Sequence, residues 1–227
     1  MAINLKRTSS IATDGVKLLV YGVAGAGKTS LIPTLPDPIV ISAEGGLLSI
    51  SGADVPFVEV KNMTDLSEAY QWLTESSDAA QFKTVCLDSI SEIAEVCLSS
   101  EKKSAKDPRA AYGSMQEHMG DIIRAFRDLT GKHVYFTAKV EKTQDEMGRI
   151  LYAPSMPGNK MGQSLPYFFD EVLALRVERD DEGRNQRALM CDTDGIWQAK
   201  DRSSRLDPWE PAHLGDIILK IQGQLDD

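Results

Sequence analysis

The segment Gly22-Val23-Ala24-Gly25-Ala26-Gly27-Lys28-Thr29 constrains this chain more than any other. It fits G-x-x-x-x-G-K-[ST] at every fixed position. Before it runs the apolar, β-branched stretch Val16 to Tyr21, which reads as a buried strand; after it a short helix is predicted from near Lys28 to before Pro33. Glycines let consecutive backbone N–H groups turn inward on one anionic centre, and a helix start adds a favourable dipole. The pattern predicts a nucleoside triphosphate held by Gly22, Val23, Ala24, Gly25, Ala26, Gly27, Lys28, Thr29 and Ser30. Lys28 would face the β- and γ-phosphates and the Thr29 hydroxyl would ligate Mg²⁺. A glycine-rich turn with a chance lysine is the alternative, and the strand before the motif and the helix after it argue against that.

The rest of the chain alternates. Strands are predicted at Pro38–Ser42, Pro56–Val60, Thr84–Leu87 (ending at Asp88), His133–Ala138, Glu171–Glu178 and Arg187–Cys191. Helices are predicted over Thr64–Glu75 with Thr64 as N-cap, over Ile90–Ser100, over a long segment ending near Leu129, and over Leu214–Ile221. Glu101–Arg109 reads as a polar connection, Val140–Ala153 as a hairpin turning at Asp145–Gly148, Met156–Gly162 as a loop and Asp180–Gly183 as a turn. This order implies an α/β fold, a mostly parallel sheet sandwiched by helices with an antiparallel edge. A length of 227 residues with no repeat or linker fits a single domain over 1–227, its core at about 16–221.

Charge limits the partners. The net charge is −9, from 34 acids against 25 bases. Such a chain does not coat nucleic acid indiscriminately, so any nucleic-acid contact needs a locally basic surface. No apolar run is long enough to span a bilayer, and no membrane partner is expected. Met1–Ser10 lacks an apolar signal core, which argues against secretion. Cys86, Cys97 and Cys191 form no motif; Cys86 and Cys97 sit in apolar surroundings and read as buried thiols, and a reducing cytoplasm fits. His118 and His133 fall in no metal-ligand spacing and read as structural. Met115, Met119, Ile122, Ile123, Phe126 and Leu129 form a helix core stripe.

Hydrolysis needs a second acid for Mg²⁺ and a group that activates water. Asp88, at the end of an apolar strand, fits the first role; it also stands where a helix N-cap would, although Ser89 could cap instead. An acid often follows the metal aspartate, but Ser89 occupies that position. Glu44 therefore becomes the candidate base, on the condition that its strand neighbours the phosphate-loop strand and brings it to the same carboxyl edge. An exposed loop glutamate is the other reading. Glu92, one helical turn past Asp88, is a further candidate.

The order of these features resembles the RecA-like recombinase core: phosphate loop, a strand ending in Ala43-Glu44, then Leu87-Asp88-Ser89, then a strand with the polar tip Thr137-Ala138-Lys139. Within that class the chain looks most like the small phage nucleotide-binding proteins of the Sak type, over about Val16 to Ile221. The resemblance implies an ATPase that acts on single-stranded DNA as a ring or filament of identical subunits, alongside a single-strand DNA-binding protein, in the host cytoplasm. By it Glu44 is the catalytic glutamate, Asp88 the Mg²⁺ aspartate, and the strand tip a γ-phosphate sensor. This sequence has Lys139 there, where RecA has glutamine. Without RecA's flanking domains, annealing or DNA-stimulated hydrolysis is expected ahead of strand exchange.

The DNA loops of such proteins correspond here to about Glu101–Gly113 and Glu141–Gln163. The first holds Lys102, Lys103, Lys106, Arg109 and Tyr112; the second holds Lys142, Arg149, Tyr152 and Lys160. Their cations would neutralise phosphates and their tyrosines stack on bases. Ordinary solvated loop charge is the alternative. Lys200, Arg202 and Arg205 form a second basic cluster, with Arg202 the candidate for contacting the nucleotide in its own or a neighbouring subunit; a surface turn held by Asp201 is the other reading. The competing functions are a nucleotide-dependent switch or assembly protein that ignores DNA, and a helicase-like motor.

Overall fold

A computed structural model describes residues 15–179 and 182–225. Met1–Ser10, and Asp180 and Asp181 of the predicted turn, lie outside the described residues. The central strands are β1 (Lys17–Gly22), β2 (Pro38–Ser42), β4 (Thr84–Asp88), β5 (His133–Gln144) and β7 (Glu171–Arg179). Around them lie β3 (Phe57–Glu59), β6 (Ile150–Ser155), β8 (Asn185–Met190), β9 (Lys200–Asp201) and β10 (Trp209–Pro211). The helices are α1 (Met63–Glu75), α2 (Ile90–Ser104), α3 (Pro108–Arg127), α4 (Asn159–Ser164) and α5 (Leu214–Gln222).

All ten strands join one sheet in the order β10-β8-β7-β1-β5-β4-β2-β3, with β6 on β5 and β9 on β7. The strands from β7 to β3 run parallel, and β8, β10, β6 and β9 are antiparallel additions. Both faces of the central strands are buried, so their sequences read as continuous apolar runs. Leu19, Tyr21, Ile41, Leu87 and Phe136 meet α1, α2 and α3 on one face. Leu18, Val20, Val40, Cys86 and Tyr135 meet α5 and the turn after the phosphate loop on the other. Phe136 packs edge-on against Phe169 with ring centres 4.9 Å apart; each such fully buried side chain contributes roughly 1.5–3 kcal/mol of burial.

Several boundaries differ from the sequence expectation. The segment after the phosphate loop is a 3₁₀ helix, Thr29–Thr34, with Pro33 inside it. Proline has no N–H for the α-helical ladder, which favours the shorter turn. The cap of α1 is Asn62, not Thr64: its side chain accepts from Thr64 N and Asp65 N, and Asp65 reaches back to Asn62 N. The polar stretch from Glu101 is largely helical, since α2 runs on to Ser104. Lys102 and Lys103 in its last turn favour that extension, because cations complement the carbonyl end of a helix. Asp107 caps α3 by accepting from Arg109 N at 2.9 Å, with Pro108 in the first turn. α4 starts within the Gly/Pro-rich loop and runs past it to Ser164, and Lys160 falls in this helix. No helix among the described residues is long and apolar enough to cross a membrane.

Sheet order also revises how Glu44 reaches the phosphate loop. β2 does not neighbour β1; β5 and β4 stand between them. Instead Ser42 pairs with Asp88, so the chain leaving β2 arrives beside the end of β4. Gly22 pairs with Lys139 in turn. Gly22, Lys139, Asp88 and Glu44 therefore share the carboxyl edge, where ligands of open α/β sheets bind.

Candidate functional site

The phosphate loop keeps its shape through two left-handed glycines, Gly25 at φ +75° and Gly27 at φ +104°. Gly22 is required for a different reason. A Cβ there would stand 2.8 Å from the Leu175 carbonyl oxygen, so β7 packs directly on the loop's first residue. Lys28 Nζ donates to the carbonyls of Gly22 at 2.9 Å and Val23 at 3.2 Å, arching over its own loop. Burial lowers the Lys28 pKa, while the charges of Glu44 and Asp88 oppose that shift. Behind the loop the buried Tyr135 hydroxyl donates to the Lys28 carbonyl at 2.9 Å.

Asp88 is only 2% exposed. Its carboxylate accepts from Thr29 Oγ1 at 2.8 Å and from Thr137 Oγ1 at 2.5 Å. The capping role falls to Ser89, whose Oγ accepts from Glu92 N at 3.3 Å at the start of α2. That leaves the Asp88 carboxylate to face the phosphate loop. No lysine or arginine among the described residues forms an ion pair with it. A buried carboxylate beside a threonine hydroxyl is a hard oxygen donor set, which suits Mg²⁺.

Glu44 is exposed on the loop after β2 and accepts a hydrogen bond from Ser89 Oγ. Glu92 is engaged elsewhere: its Oε2 lies 2.6 Å from Lys139 Nζ. That bond, more than any other interaction, raises the Lys139 pKa. Lys139 N also donates to Ser91 Oγ at 2.9 Å. The structure thus brings Lys28, Thr29, Ser30, Glu44, Asp88 and Lys139 to one edge, with Glu44 free to meet water and Glu92 tied to a cation.

The sequence profile of the AAA domain family matches residues 14–203. The chain belongs to this family. It is accordingly a nucleotide-binding P-loop ATPase domain with a mostly parallel α/β sheet. The SPbeta prophage-derived uncharacterized protein YorG of Bacillus subtilis (strain 168) is 22% identical over 144 residues, or 60% of this chain and 44% of that relative. The chain therefore spans less than half the length of that relative. A solved KaiC-like protein of Pyrococcus horikoshii OT3 superposes with a TM-score of 0.41 at 13% identity, over 78% of each chain.

Other predicted residues of this AAA domain lie elsewhere. Arg202 is a correction for its own chain: β9 pairs with the start of β7, with Glu171 opposite Asp201, and that is the amino edge of the sheet. There Arg202 Nη1 lies 3.0 Å from Asp170 Oδ1, and Lys200 Nζ donates to the carbonyls of Pro166 and Phe169 at 2.8 and 2.6 Å. Asp201 organises the turn by accepting from Ser203, Arg205 and Leu206 N–H groups.

The two basic segments approach each other. A Cβ on Gly158 would come within 3.4 Å of the Tyr112 ring. Lys102 Nζ sits 5.3 Å over the same ring, and Lys103, Lys106, Arg109 and Lys142 are exposed. Arg149 is bound within its hairpin turn, 2.7 Å from Asp145. Tyr152 stacks on Trp197 at 4.3 Å, so one of its faces is taken. His118, read as structural, lies 2.9 Å from Glu101, with Cys97 in the same cluster. Burial pushes the Cys97 thiol up to about 11, which keeps it protonated.

The site residue that sequence reasoning missed is Arg187. It stands on β8, remote in sequence, and donates Nε to the Ala26 carbonyl of the phosphate loop at 2.8 Å. No motif marks it; only the pairing of β8 with β7, and of β7 with β1, brings it there.

Proposed function

We propose that this AAA domain, acting as a single unit over 1–227, is a phage-type recombination ATPase that hydrolyses ATP with Mg²⁺ and works on single-stranded DNA as an oligomer in the host cytoplasm. The observation that carries the hydrolytic part is the meeting of Thr29, Asp88 and Glu44 at the carboxyl edge, beside the Lys28 loop. Lys28 would leave the Gly22 and Val23 carbonyls for the β- and γ-phosphates. Thr29 and Asp88 would hold Mg²⁺, which supplies charge neutralisation for the phosphates when bound. Glu44 would orient and deprotonate the attacking water, and Ser89 would fix its carboxylate. Lys139, steadied by Glu92, would lie near the terminal phosphate.

For DNA, the support is the approach of Gly158 to Tyr112, which gathers Lys102, Lys103, Lys106 and Arg109 with the second basic segment on an otherwise acidic chain. A specific observation favours a second reading, a switch or assembly protein: Lys102, Tyr112, Arg149 and Tyr152 all have partners within the chain. Steady-state ATPase with and without single-stranded DNA, with anisotropy of a labelled oligonucleotide, separates the two. Recombination predicts stimulated turnover and binding that weakens with salt, the slope becoming shallower in Lys102→Ala/Lys103→Ala. Hydrolysis indifferent to DNA, with no oligonucleotide binding, selects the switch.

A further inference from the structure

The phosphate loop is followed by a six-residue 3₁₀ helix. Macrodipole stabilisation grows from a run of aligned peptides, and so short a turn supplies little of it. Anion binding here depends on loop N–H groups and on cations. Lys28 is one cation, and the structure places a second beside it.

Arg187 pairs with Val177 across the β7–β8 ladder and emerges on the face that carries Leu175, Leu189 and Ala26. Its Nε bonds the Ala26 carbonyl at 2.8 Å. A Cβ on Gly27 would lie 2.9 Å from Arg187 Nε and 3.7 Å from Cζ, so the guanidinium rests on the residue preceding Lys28. Among the described residues its terminal nitrogens have no hydrogen-bond partner and no carboxylate pairs with it. By contrast Arg176, close by in the same hairpin, lies over Trp197 at 4.5 Å and beside Glu178. A guanidinium offers five N–H donors in a fixed fork, and only one is used here. An arginine held against an anion-binding loop, with its fork unspent, is suited to phosphate.

We propose that Arg187 is a second phosphate-binding cation of the nucleotide site, supplied by the same chain. Its Nε keeps the bond to Ala26 while its terminal nitrogens donate to non-bridging phosphate oxygens of the bound nucleotide. This rests on the phosphate-loop reading, and the test separates the two. The alternative role is a clip that fastens the β7–β8 hairpin to the loop and touches no ligand.

The experiment measures affinity for fluorescently labelled ADP and for ATP by anisotropy and competition, beside the melting temperature of the nucleotide-free protein. Wild type, Arg187→Gln, Arg187→Lys and Lys28→Ala are compared. Losing a charge-assisted phosphate contact should weaken binding about 10- to 100-fold in Arg187→Gln. Arg187→Lys, which keeps the charge but not the fork, should fall between it and wild type. A loss shared by ADP and ATP supports contact with the α- or β-phosphate; a loss confined to ATP supports the γ-phosphate. Unchanged affinity in Arg187→Gln overturns the proposal, whether or not the melting temperature moves. If Lys28→Ala also binds normally, the phosphate-loop reading itself has failed.

Discussion

Thr29 Oγ1 donates to Asp88 Oδ2 across 2.8 Å, although 59 positions separate the two residues. Thr29 closes the phosphate loop and Asp88 ends β4, with β5 lying between their strands. The bond spans that gap, and Thr137 from β5 completes it from beneath. Asp88→Asn keeps the shape but loses one acceptor, so one threonine hydroxyl must turn away or go unpaired. The expected cost is about 1–2 kcal/mol of stability. The functional expectation is larger: nucleotide affinity should lose its dependence on Mg²⁺, and turnover should fall by about 100-fold or more. ADP titrations with Mg²⁺ and with EDTA check this. A variant whose affinity still responds to Mg²⁺ as wild type does would remove Asp88 from the metal site.

Glu44 and Glu92 compete for the role of base, and their surroundings differ. Glu44 is exposed and held by a neutral hydroxyl, whereas Glu92 is paired with the Lys139 ammonium. A carboxylate oxygen already engaged by a cation is not free to orient a water. Glu44→Gln should retain ATP affinity within a few-fold while single-turnover hydrolysis slows by about 10²–10⁴. Glu92→Gln should remain within about 10-fold of wild type, since it alters only the seating of Lys139. The reverse ranking would transfer the role to Glu92.

The capping box of α1 provides a test confined to stability. Asn62 accepts from Thr64 N at 2.8 Å and Asp65 N at 3.1 Å, while Asp65 accepts from the Asn62 and Lys61 N–H groups. Asn62→Ala should destabilise by about 1 kcal/mol and leave ATPase activity unaltered, because the box follows β3, the last strand of the sheet, with β2 between it and β4. Chemical denaturation beside an ATPase assay measures both. If Thr64→Ala were the costly change instead, the helix would start where the sequence pattern alone put it.

That case shows what could be read from the chain. The phosphate loop, the strand ending in Asp88, the hairpin turning at Asp145–Gly148 and the antiparallel edge all carry local signatures, glycines at fixed spacing or short β-branched runs. What had no local signature depended on sheet order. Glu44 reaches the site because β2 pairs with β4, whereas the sequence reading makes its arrival conditional on β2 lying next to β1. Arg187 reaches it because β8 folds back along β7, and Arg202 is kept from the site of its own chain because β9 lies at the opposite edge. The boundaries misplaced around Glu101–Arg109 have a different origin. Polar composition reads as loop, whereas lysines at a helix C-terminus and an Asp-Pro start stabilise two helices with a short break between them.

Glu171 sets a pH dependence that nothing in its sequence neighbourhood signals. It is 1% exposed at the start of β7, opposite Asp201 on β9. Burial, then a shared hydrogen bond with Asp201 and the charge of that residue, push its pKa from 4.5 up to about 9. Asp201 moves the other way: burial tends to raise it, but hydrogen bonds from Glu171, Ser203 and Leu206 hold it below its ordinary value. The arrangement at neutral pH is a protonated Glu171 donating to the Asp201 carboxylate while accepting from Arg202 N at 3.2 Å. Between about 4.5 and about 9 the folded protein thus holds a proton that the unfolded chain does not. This contribution to stability is complete below the lower value and is lost as pH rises through the upper one, with a slope of up to about 1.4 kcal/mol per pH unit. Glu171→Gln preserves one donor and one acceptor without titrating. Its stability should therefore fall less steeply than that of wild type between pH 5 and pH 9, with the variant gaining on wild type steadily towards the alkaline end. Urea denaturation of both proteins at each pH measures the difference, and other titrating groups such as His133 cancel in the comparison. Parallel curves over that range would mean that Glu171 is ionised in the folded protein.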